Sequence, residues 1–339
     1  MSSTPRTFVI AEAGVNHNGS LDLARQLVLA AKAAGADAVK FQTFKAERVA
    51  QSDAPKAAYQ LRNTDYAESQ IEMLRKLELP EEAHRELLAL CAEQGLEFMS
   101  TPYNAEDVDF LTTLGVRTFK LASIHVAEPH FLRYVARQGR RVLLATGMAT
   151  LEEVDLAVRA LREGGCADFT LLQCTTNYPS RIEDANLRAM LTMRDAFQCA
   201  VGYSDHTQTD TAAIAAVALG ATVVEKHFTL DKTLPGPDHS SAAEPAEFAE
   251  LVRRIRTVEA ALGSGIKEPC AAEAANAQNM RRSLVARRTI AAGEVLTEDM
   301  LTCKRPATGL RPQLIGEVTG RRATIGIPAG TQLAWAMLA

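Results

Sequence analysis

Short runs of β-prone apolar residues alternate with longer stretches of helical periodicity along most of the chain. The first run, FVIAEA (8–13), is followed by Leu23, Leu27 and Ala31 at helical spacing and then by a second run, AVKFQT (38–43). Alternation of this kind predicts a β-strand, an amphipathic helix and a second strand parallel to the first.

Six further runs continue the pattern, which gives eight predicted strands separated mostly by amphipathic helices. This count and spacing predict a (β/α)8 barrel. A doubly wound open sheet is the alternative, but it usually carries a Gly-rich dinucleotide turn after its first strand, and GVNHNG (14–19) does not fit GxGxxG. The six runs are 97–101, 117–123, 141–146, 169–175, 200–206 and 222–228.

The connection between the second and third strands, residues 44–96, is longer than one crossover requires. Residues 52–68 are polar and aperiodic, which predicts an irregular loop over the mouth of a site. Helical patterns follow at about 69–76 and from Pro80, a favourable first-turn residue, to near Gly95.

The C-terminal part of the chain differs in character. After a helix that ends near Gly263, residues 265–280 are rich in Ala and Glu and are interpreted as a linker. Residues 281–339 have short apolar runs and repeated turn signals, which predict a separate, small β-rich domain. Such a domain buries little core alone, so we expect it to dock on a neighbour. The predicted barrel domain is then 1–264.

Composition narrows the functional classes. The 339 residues carry a formal net charge of −4, mild and mixed, which favours neither nucleic acid nor a membrane surface as a partner. No apolar run is long enough to span a bilayer, and MSSTPRTFVIAEAG lacks the pattern of a signal peptide. The six cysteines are scattered without a CxxC pair, which is typical of free thiols in a reducing cytoplasm.

Two histidines stand at equivalent positions in adjacent strand–helix units. His206 ends the run AVGYSDH and His227 lies near the end of TVVEKHF, with Asp205 and Glu225 nearby. Parallel neighbours end at the same edge, so the two imidazoles are predicted to lie side by side, where they would suit a divalent metal. The alternative, in which each histidine is only hydrogen-bonded at a strand end, stays open.

Polar side chains cluster at the predicted carboxyl ends of the strands, where a barrel carries its functional groups. Lysines are costly to bury without anions, so Lys40 and Lys120 indicate a small, multiply charged anion such as a carboxylate-bearing phosphate ester. The structural alternative is that each lysine pairs with a barrel glutamate. The cluster comprises Glu12, Lys40, Gln42, Thr101, Tyr103, Lys120, Ser123, Thr146, Asn177, Tyr178, Ser204, His206, Glu225 and His227.

Eight motifs in order cover nearly the whole barrel region: EAGVNHNG, AVKFQTF, FMSTPY, FKLAS, LATGM, CTTNYP, GYSDHT and EKHFTLDKTLPGPDH. Together they resemble the sialic acid synthase family. The segment RRSLVARRTIAAGEVLTEDML resembles the antifreeze-like (SAF) domain that ends those enzymes. The resemblance implies a TIM barrel, followed by an SAF domain, that condenses phosphoenolpyruvate with an N-acetylated hexose and releases phosphate by C–O cleavage.

The resemblance also implies a divalent metal, manganese first, with magnesium or cobalt as alternatives. His206 and His227 match the metal ligands, Glu225 matches the glutamate that contacts metal-bound water, and Glu12 matches the acidic residue near the metal. The remaining matches are Lys40, Thr101, Lys120 and Ser123 for the phosphoenolpyruvate carboxylate; Asn177, Ser204 and Thr146 for its phosphate; and Gln42, Tyr178 and Asp238 for the sugar.

The tail domain is implied to act on a second copy of the chain. Arg305, in the KRP of the tail, matches an arginine that reaches into the partner subunit's barrel and holds the sugar's acetamido group. The expected active unit is therefore a domain-swapped homodimer.

The acceptor sugar is the least determined expectation. We expect N-acetylmannosamine, giving N-acetylneuraminate; the alternative is a 2,4-diacetamido-trideoxyhexose leading to legionaminate or, less favoured, pseudaminate. His125 stands where the family usually has an acidic sugar contact, and either Asn63 or Asp65 matches a sugar-binding asparagine. A catalytically dead sugar-binding protein is the rival from another class, but Glu12, both lysines and both histidines are all present, which argues against it.

Overall fold

The structure is a computed structural model that describes residues 6–65 and 67–339, apart from the side chains at positions 58 and 62. The chain divides into two compact units, Met1–Ser264 and Gly265–Ala339.

The first unit is a closed barrel in which each strand pairs in parallel with the next and β8 returns to β1. This architecture confirms the predicted (β/α)8 fold, and the observed strand ends lie within a few residues of the predicted ones. The strands are β1 (Phe8–Gly14), β2 (Ala38–Thr43), β3 (Glu97–Pro102), β4 (Thr118–Leu121), β5 (Arg141–Ala145), β6 (Phe169–Cys174), β7 (Ala200–Asp205) and β8 (Val223–His227).

Helices surround the barrel, and local capping determines where several of them begin. Ser20 accepts a hydrogen bond from the backbone N–H of Leu23 at 3.3 Å, and Thr150 and Glu153 form the predicted capping box. The helices are α1 (Leu21–Ala33), α2 (Ala46–Val49), α3 (Ala58–Asn63), α4 (Gln70–Lys76), α5 (Glu81–Gln94), α6 (Ala105–Leu114), α7 (Pro129–Ala136), α8 (Leu151–Glu163), α9 (Arg188–Phe197), α10 (Thr211–Ala218) and α11 (Pro245–Leu262).

The barrel interior is apolar at the amino ends of the strands and polar at their carboxyl ends. A buried cluster that includes Ile10, Met99 and Leu172 fills the lower interior. Further along, Glu12 of β1 and Lys40 of β2 are register partners, and both side chains are buried. The apolar layer closes the barrel from below, so polar groups gather at the end where TIM barrels carry their sites.

The connection after β2 is more regular than expected. The prediction of an irregular loop over 52–68 was wrong for Ala58–Asn63, which forms α3. The buried ammonium of Lys56 organises this segment, donating to the carbonyl of Asp65 at 2.7 Å and to the Thr64 hydroxyl at 3.1 Å. The Lys56 ammonium thus binds backbone and side-chain oxygens and orders this polar segment, which has no hydrophobic periodicity of its own.

The second unit has its own apolar core and a two-stranded antiparallel sheet of β9 (Ser283–Ala286) and β10 (Leu301–Lys304). This observation confirms the predicted small β-rich domain. The segment interpreted as a linker contains α12 (Ala271–Met280), which has no buried residue, and a short α13 (Ile315–Val318) lies later in the domain. None of the described helices is long and apolar enough to cross a membrane.

A buried histidine in the loop after β1 makes stability sensitive to acid. His17 is fully buried, and its Nδ1 accepts the N–H of Gly19 at 3.0 Å. Burial, helped by His84 and His239, lowers the pKa of His17 to about 3. The unfolded chain binds this proton below about pH 6.5 and the folded chain does not, so stability is complete above that pH and falls as acid is added.

We expect His17→Asn, which keeps an acceptor for Gly19, to remove about 1.4 kcal/mol of acid destabilisation per pH unit between about pH 6 and 4. Urea unfolding of the wild type and the variant at a series of pH values measures this difference. Parallel pH profiles for the two proteins would contradict the assignment.

Candidate active site

A cavity opens where the carboxyl ends of the barrel strands meet. Its volume is about 230 Å³, slightly below the range of about 300–1,000 Å³ that is common for drug-sized ligands. Residues from all eight strands line it, together with residues of the connection after β2. The size and position indicate a site for small molecules.

Two lysines and two glutamates form a buried network on the cavity floor. Lys40 forms an ion pair with Glu12 and lies 3.8 Å from a carboxylate oxygen of Glu225, while Lys120 lies 3.1 Å from the other oxygen of Glu225. Both lysines thus pair with barrel glutamates, and their binding of an anion stays a prediction. Oε2 of Glu12 is the oxygen that Lys40 holds, whereas Oε2 of Glu225 has no hydrogen-bond partner within the described ranges.

The network separates the protonation states of the two glutamates. Burial by itself raises the pKa of Glu225, but Lys120 and Lys40 outweigh it and lower the pKa to about 2. Burial is the dominant effect on Glu12 and raises its pKa despite Lys40. For Lys120 burial is opposed by Glu225 and Glu12, which raise its pKa. Glu225 is therefore ionised beside a charged Lys120, whereas Glu12 is the carboxyl better suited to carry and release a proton.

Hydroxyl groups surround this network. Lys40 Nζ donates to Thr101 Oγ1 at 3.2 Å, and Ser204 Oγ donates to Glu225 Oε1 at 2.9 Å. Ser123 Oγ lies 3.2 Å from Thr176 Oγ1. Gly147 is required at this corner, because a Cβ there would lie 2.3 Å from Thr176 Oγ1 and the backbone φ is +28°. Lysines and hydroxyls together provide the donors that an anionic substrate needs.

The two predicted histidines lie side by side at the cavity, with ring centroids 5.3 Å apart. Burial lowers the pKa of His206 to about 4, and burial, with His206 and Lys40 nearby, also lowers the pKa of His227. His206 Nδ1 donates to the carbonyl of Thr175 at 2.6 Å, which leaves the lone pair on Nε2. His227 Nδ1 is buried without a hydrogen-bond partner among the described residues. Both imidazoles are thus neutral, and the Ser204 hydroxyl lies 3.5 Å from Nε2 of His206.

A neutral imidazole can bind a divalent metal, and His206 also has its other ring nitrogen fixed by a carbonyl, so the pair fits such an ion. Over the described part of the chain, no group of three or more His, Cys, Asp or Glu is arranged to hold a metal. A metal bound by His206 and His227 would therefore need water or substrate oxygens to complete its coordination.

The predicted sugar-binding side chains also meet at the cavity. Tyr103 OH donates to Gln42 Oε1 at 3.0 Å, and Gln42 Nε2 lies 3.4 Å from Glu12 Oε1. Tyr178 packs on His206 with ring centroids 4.3 Å apart. Burial, with a contribution from Glu12, raises the pKa of Asp238 to about 7.

Sequence reasoning missed Tyr59, which lies on α3 in the stretch predicted to be irregular. Its ring packs against Tyr178 with centroids 5.0 Å apart, and its side chain lines the cavity. The available signal was a large aromatic residue within an otherwise polar segment, which is costly to leave in water. Cys174 and Thr176 line the cavity as well and were not predicted.

Two predicted residues of the barrel unit do not line this cavity, and a third predicted residue lies in the second unit. Thr146 is buried, and its hydroxyl donates to the carbonyl of Leu172 at 3.0 Å, so its proton is used in a hydrogen bond inside the barrel. Asn177 is exposed, and its neighbour Thr176 lines the cavity instead. Arg305 is exposed and belongs to the second unit.

His125 and Asn63, the two positions where the match to the family pattern is uncertain, each make specific local contacts. His125 is buried behind Tyr103, donates through Nδ1 to Glu128 at 2.9 Å and packs on Phe131. Its side chain does not line the cavity. Asn63 donates to the carbonyl of Pro237 at 2.9 Å, which ties α3 to the loop that carries Asp238.

The fold and the site define a TIM-barrel enzyme whose barrel is followed by a small β-rich domain. A buried lysine–glutamate network and a pair of neutral histidines lie at the carboxyl ends of its strands. Residues 27–267 match the model of the NeuB family, and residues 281–339 match that of the SAF domain. The chain belongs to the NeuB family, which confirms the resemblance read from its motifs.

Relatives over nearly the full length include two synthases. The chain is 45% identical over 321 residues to the N,N'-diacetyllegionaminic acid synthase of Campylobacter jejuni, with 94% of this chain and 96% of that protein covered. It is 44% identical to the protein of the same name from Legionella pneumophila, with 98% and 95% covered. Among solved structures, N-acetylneuraminic acid synthetase from Leptospira borgpetersenii matches with a TM-score of 0.71 and 32% identity, with 80% and 90% covered.

Proposed function

We propose that the protein is an N,N'-diacetyllegionaminate synthase, which condenses phosphoenolpyruvate with a 2,4-diacetamido-2,4,6-trideoxyhexose. The observation that carries this proposal is the 45% and 44% identity to two synthases of that name, against 37% to the N-acetylneuraminate-9-phosphate synthase of Mus musculus. The preferred expectation from the sequence, N-acetylneuraminate synthase, therefore becomes the second candidate. Pseudaminate synthase is the third candidate, and it has less support because the identity to a pseudaminic acid synthase is 33%.

The reaction joins C3 of phosphoenolpyruvate to the aldehyde carbon of the open-chain sugar. Water then adds at C2, and phosphate leaves with cleavage of its bond to C2, so that the atoms balance. Lys40 and Lys120 offer charge-assisted hydrogen bonds to the carboxylate, held in place by a buried network before the substrate arrives.

The two glutamates have different tasks in this scheme. Glu225 stays ionised, because its pKa is about 2, and keeps Lys120 charged and oriented. Glu12, whose pKa burial raises, exchanges a proton with the water that adds at C2 or with the acceptor oxygen. Ser123 lines the cavity and offers a hydroxyl group to the carboxylate, and Ser204 lines it and offers a hydroxyl group to the phosphate.

His206 and His227 would hold a divalent metal, with manganese proposed and magnesium or cobalt as alternatives. Such an ion supplies Lewis-acid polarisation of the acceptor's aldehyde. The contribution of the chain is to keep both rings neutral by burial and to fix the tautomer of His206 through the carbonyl of Thr175.

Phosphate release from phosphoenolpyruvate in the presence of manganese tests the function. The acceptors to compare are 2,4-diacetamido-2,4,6-trideoxymannose, N-acetylmannosamine and the diacetamido-trideoxyaltrose isomer. We expect the first to give the highest kcat/KM. A preference for N-acetylmannosamine would support the second candidate, and no release with any sugar would favour a binding protein without catalysis.

We further propose a domain-swapped homodimer in the cytoplasm. The tail from Arg281 is small and follows a helix with no buried residue, and each barrel mouth needs a cover that excludes water during the reaction. Arg305 is the tail side chain proposed to reach the partner's site, where its planar donors suit an acetamido carbonyl. The cysteines are free thiols, as a reducing compartment would keep them.

Mixing two inactive variants tests the swap. The Arg305→Ala variant has a defective tail domain and an intact barrel site. The His206→Ala variant has an intact tail domain and a defective barrel site. If tails act on the partner barrel, mixed dimers contain one complete site, so we expect up to about half of the wild-type activity per mixed dimer. Native mass spectrometry verifies subunit exchange. Demonstrated exchange without recovered activity would mean that tails act on their own barrels.

A further inference from the structure

The connection after β2 builds an apolar wall along the active-site cavity. Met73 and Leu74 of α4 line it with Leu77 at the C-cap of this helix, together with Val15 after β1 and Val49 of α2. These five side chains pack in one hydrophobic cluster, in which Met73, Leu77 and Val15 are buried. The lysine–glutamate network comes from the barrel strands, so the cavity has a charged part and an apolar part that different elements supply.

One face of α4 combines this apolar surface with a single amide. Gln70, Met73, Leu74 and Leu77 are spaced i, i+3, i+4 and i+7, which places them on the same side of the helix. Gln70 lines the cavity, and its Oε1 is shielded from water without a hydrogen-bond partner among the described residues. A shielded acceptor without a donor is unfavourable, so a ligand that brings an N–H here is stabilised.

An acetamido group has the chemistry that this face complements, because it carries an N–H donor beside a methyl group. The candidate acceptors differ in whether they carry an acetamido group at C4. N-Acetylmannosamine has hydroxyl groups at C4 and C6, whereas the proposed acceptor has an acetamido group at C4 and its C6 is a methyl group.

We propose that Gln70, Met73, Leu74 and Leu77 form the subsite that recognises the C4 acetamido group of the acceptor. Gln70 Oε1 accepts the amide N–H, and the three apolar side chains contact the methyl group. This inference rests on the proposed function and names what determines its acceptor. A C4 hydroxyl placed on the same surface buries a polar group against carbon, which disfavours N-acetylmannosamine.

Gln70→Leu and Leu74→Ala test the subsite separately for its amide and its apolar part. For each variant kcat/KM is measured with the diacetamido sugar, with N-acetylmannosamine and with 6-deoxy-N-acetylmannosamine, which lacks only the C4 acetamido group. We expect about a ten- to hundredfold loss for the diacetamido sugar and less than about a threefold change for the other two sugars and for the KM of phosphoenolpyruvate.

Ile71→Ala is the matched control. Ile71 lies on the same helix but lines a separate surface depression beside Arg48 and Gln51. We expect it to leave all three kcat/KM values near those of the wild type, which separates loss of the subsite from disturbance of α4. Equal losses for all sugars, or no loss for the diacetamido sugar, would overturn the subsite.

The wild-type measurements distinguish this inference from the proposed function. A wild type that uses N-acetylmannosamine and rejects the diacetamido sugar refutes the function and the subsite together. A wild type that prefers the diacetamido sugar, with variants that keep that preference, refutes only the subsite.

Discussion

His206→Ala and His227→Ala are each expected to lower turnover at least about a hundredfold, the scale of losing a group that stabilises developing charge. Both rings are neutral because burial lowers their pKa values, and both offer a lone pair at the cavity. Removal of either ring should also abolish tight binding of Mn²⁺, which isothermal titration calorimetry measures without any substrate. Thermal unfolding of each variant verifies that the barrel is intact.

His130→Ala is the control for this experiment, since His130 is exposed on α7 and does not line the cavity. It should bind Mn²⁺ and turn over as the wild type does. EDTA should inactivate the wild type reversibly, with manganese among the ions that restore it. Unchanged Mn²⁺ affinity in both active-site variants would remove the histidine pair as the metal site.

Lys40→Met and Lys120→Met are expected to lower kcat/KM for phosphoenolpyruvate by about ten- to a hundredfold. Methionine keeps an apolar stem and deletes a charged contact, which is worth about 1.5–3 kcal/mol. Each variant also leaves a buried carboxylate without its partner, so a loss of about 3–5 kcal/mol in unfolding free energy is expected as well. Steady-state kinetics and urea unfolding measure the two effects separately.

The double variant Lys120→Met/Glu225→Gln decides between binding and mere ion pairing. It removes both charges, so much of the stability should return while kcat/KM for phosphoenolpyruvate stays low. Lys226→Met is the matched control, because Lys226 is buried in an ion pair with Asp205 at 2.8 Å and does not line the cavity. It should lose stability without a change in the KM of phosphoenolpyruvate. Full recovery of kinetics in the double variant would make Lys120 purely structural.

Much of the architecture could be predicted from local patterns. Strand-like runs, helical periodicity and caps such as the Thr150–Glu153 box act within a few residues, so a short window of sequence contains the whole cause. The positions of His206 and His227 followed from the same logic. His206 directly follows β7 and His227 is the last residue of β8, and the barrel brings these adjacent strand ends together.

Within a strand, alternation also determines which side chains face inward. Glu225 and His227 reach the cavity from β8, whereas Lys226 between them pairs with Asp205 away from it. A period of two fixes this arrangement as long as the strand continues. Beyond the last strand residue the period ends, and the sequence placed Asn177 at the site where the fold places Thr176.

The sequence by itself therefore determined the barrel, the tail domain, and most of the charged and imidazole groups at the strand ends. Only the tertiary structure decided that Lys40 and Lys120 meet Glu12 and Glu225, because those contacts join four strands whose mutual register no local pattern encodes. The same holds for the wall that α4 presents to the cavity. The spacing of the residues shows which side chains of α4 share one side of the helix. Which part of the protein that side contacts depends on long-range packing of the whole segment.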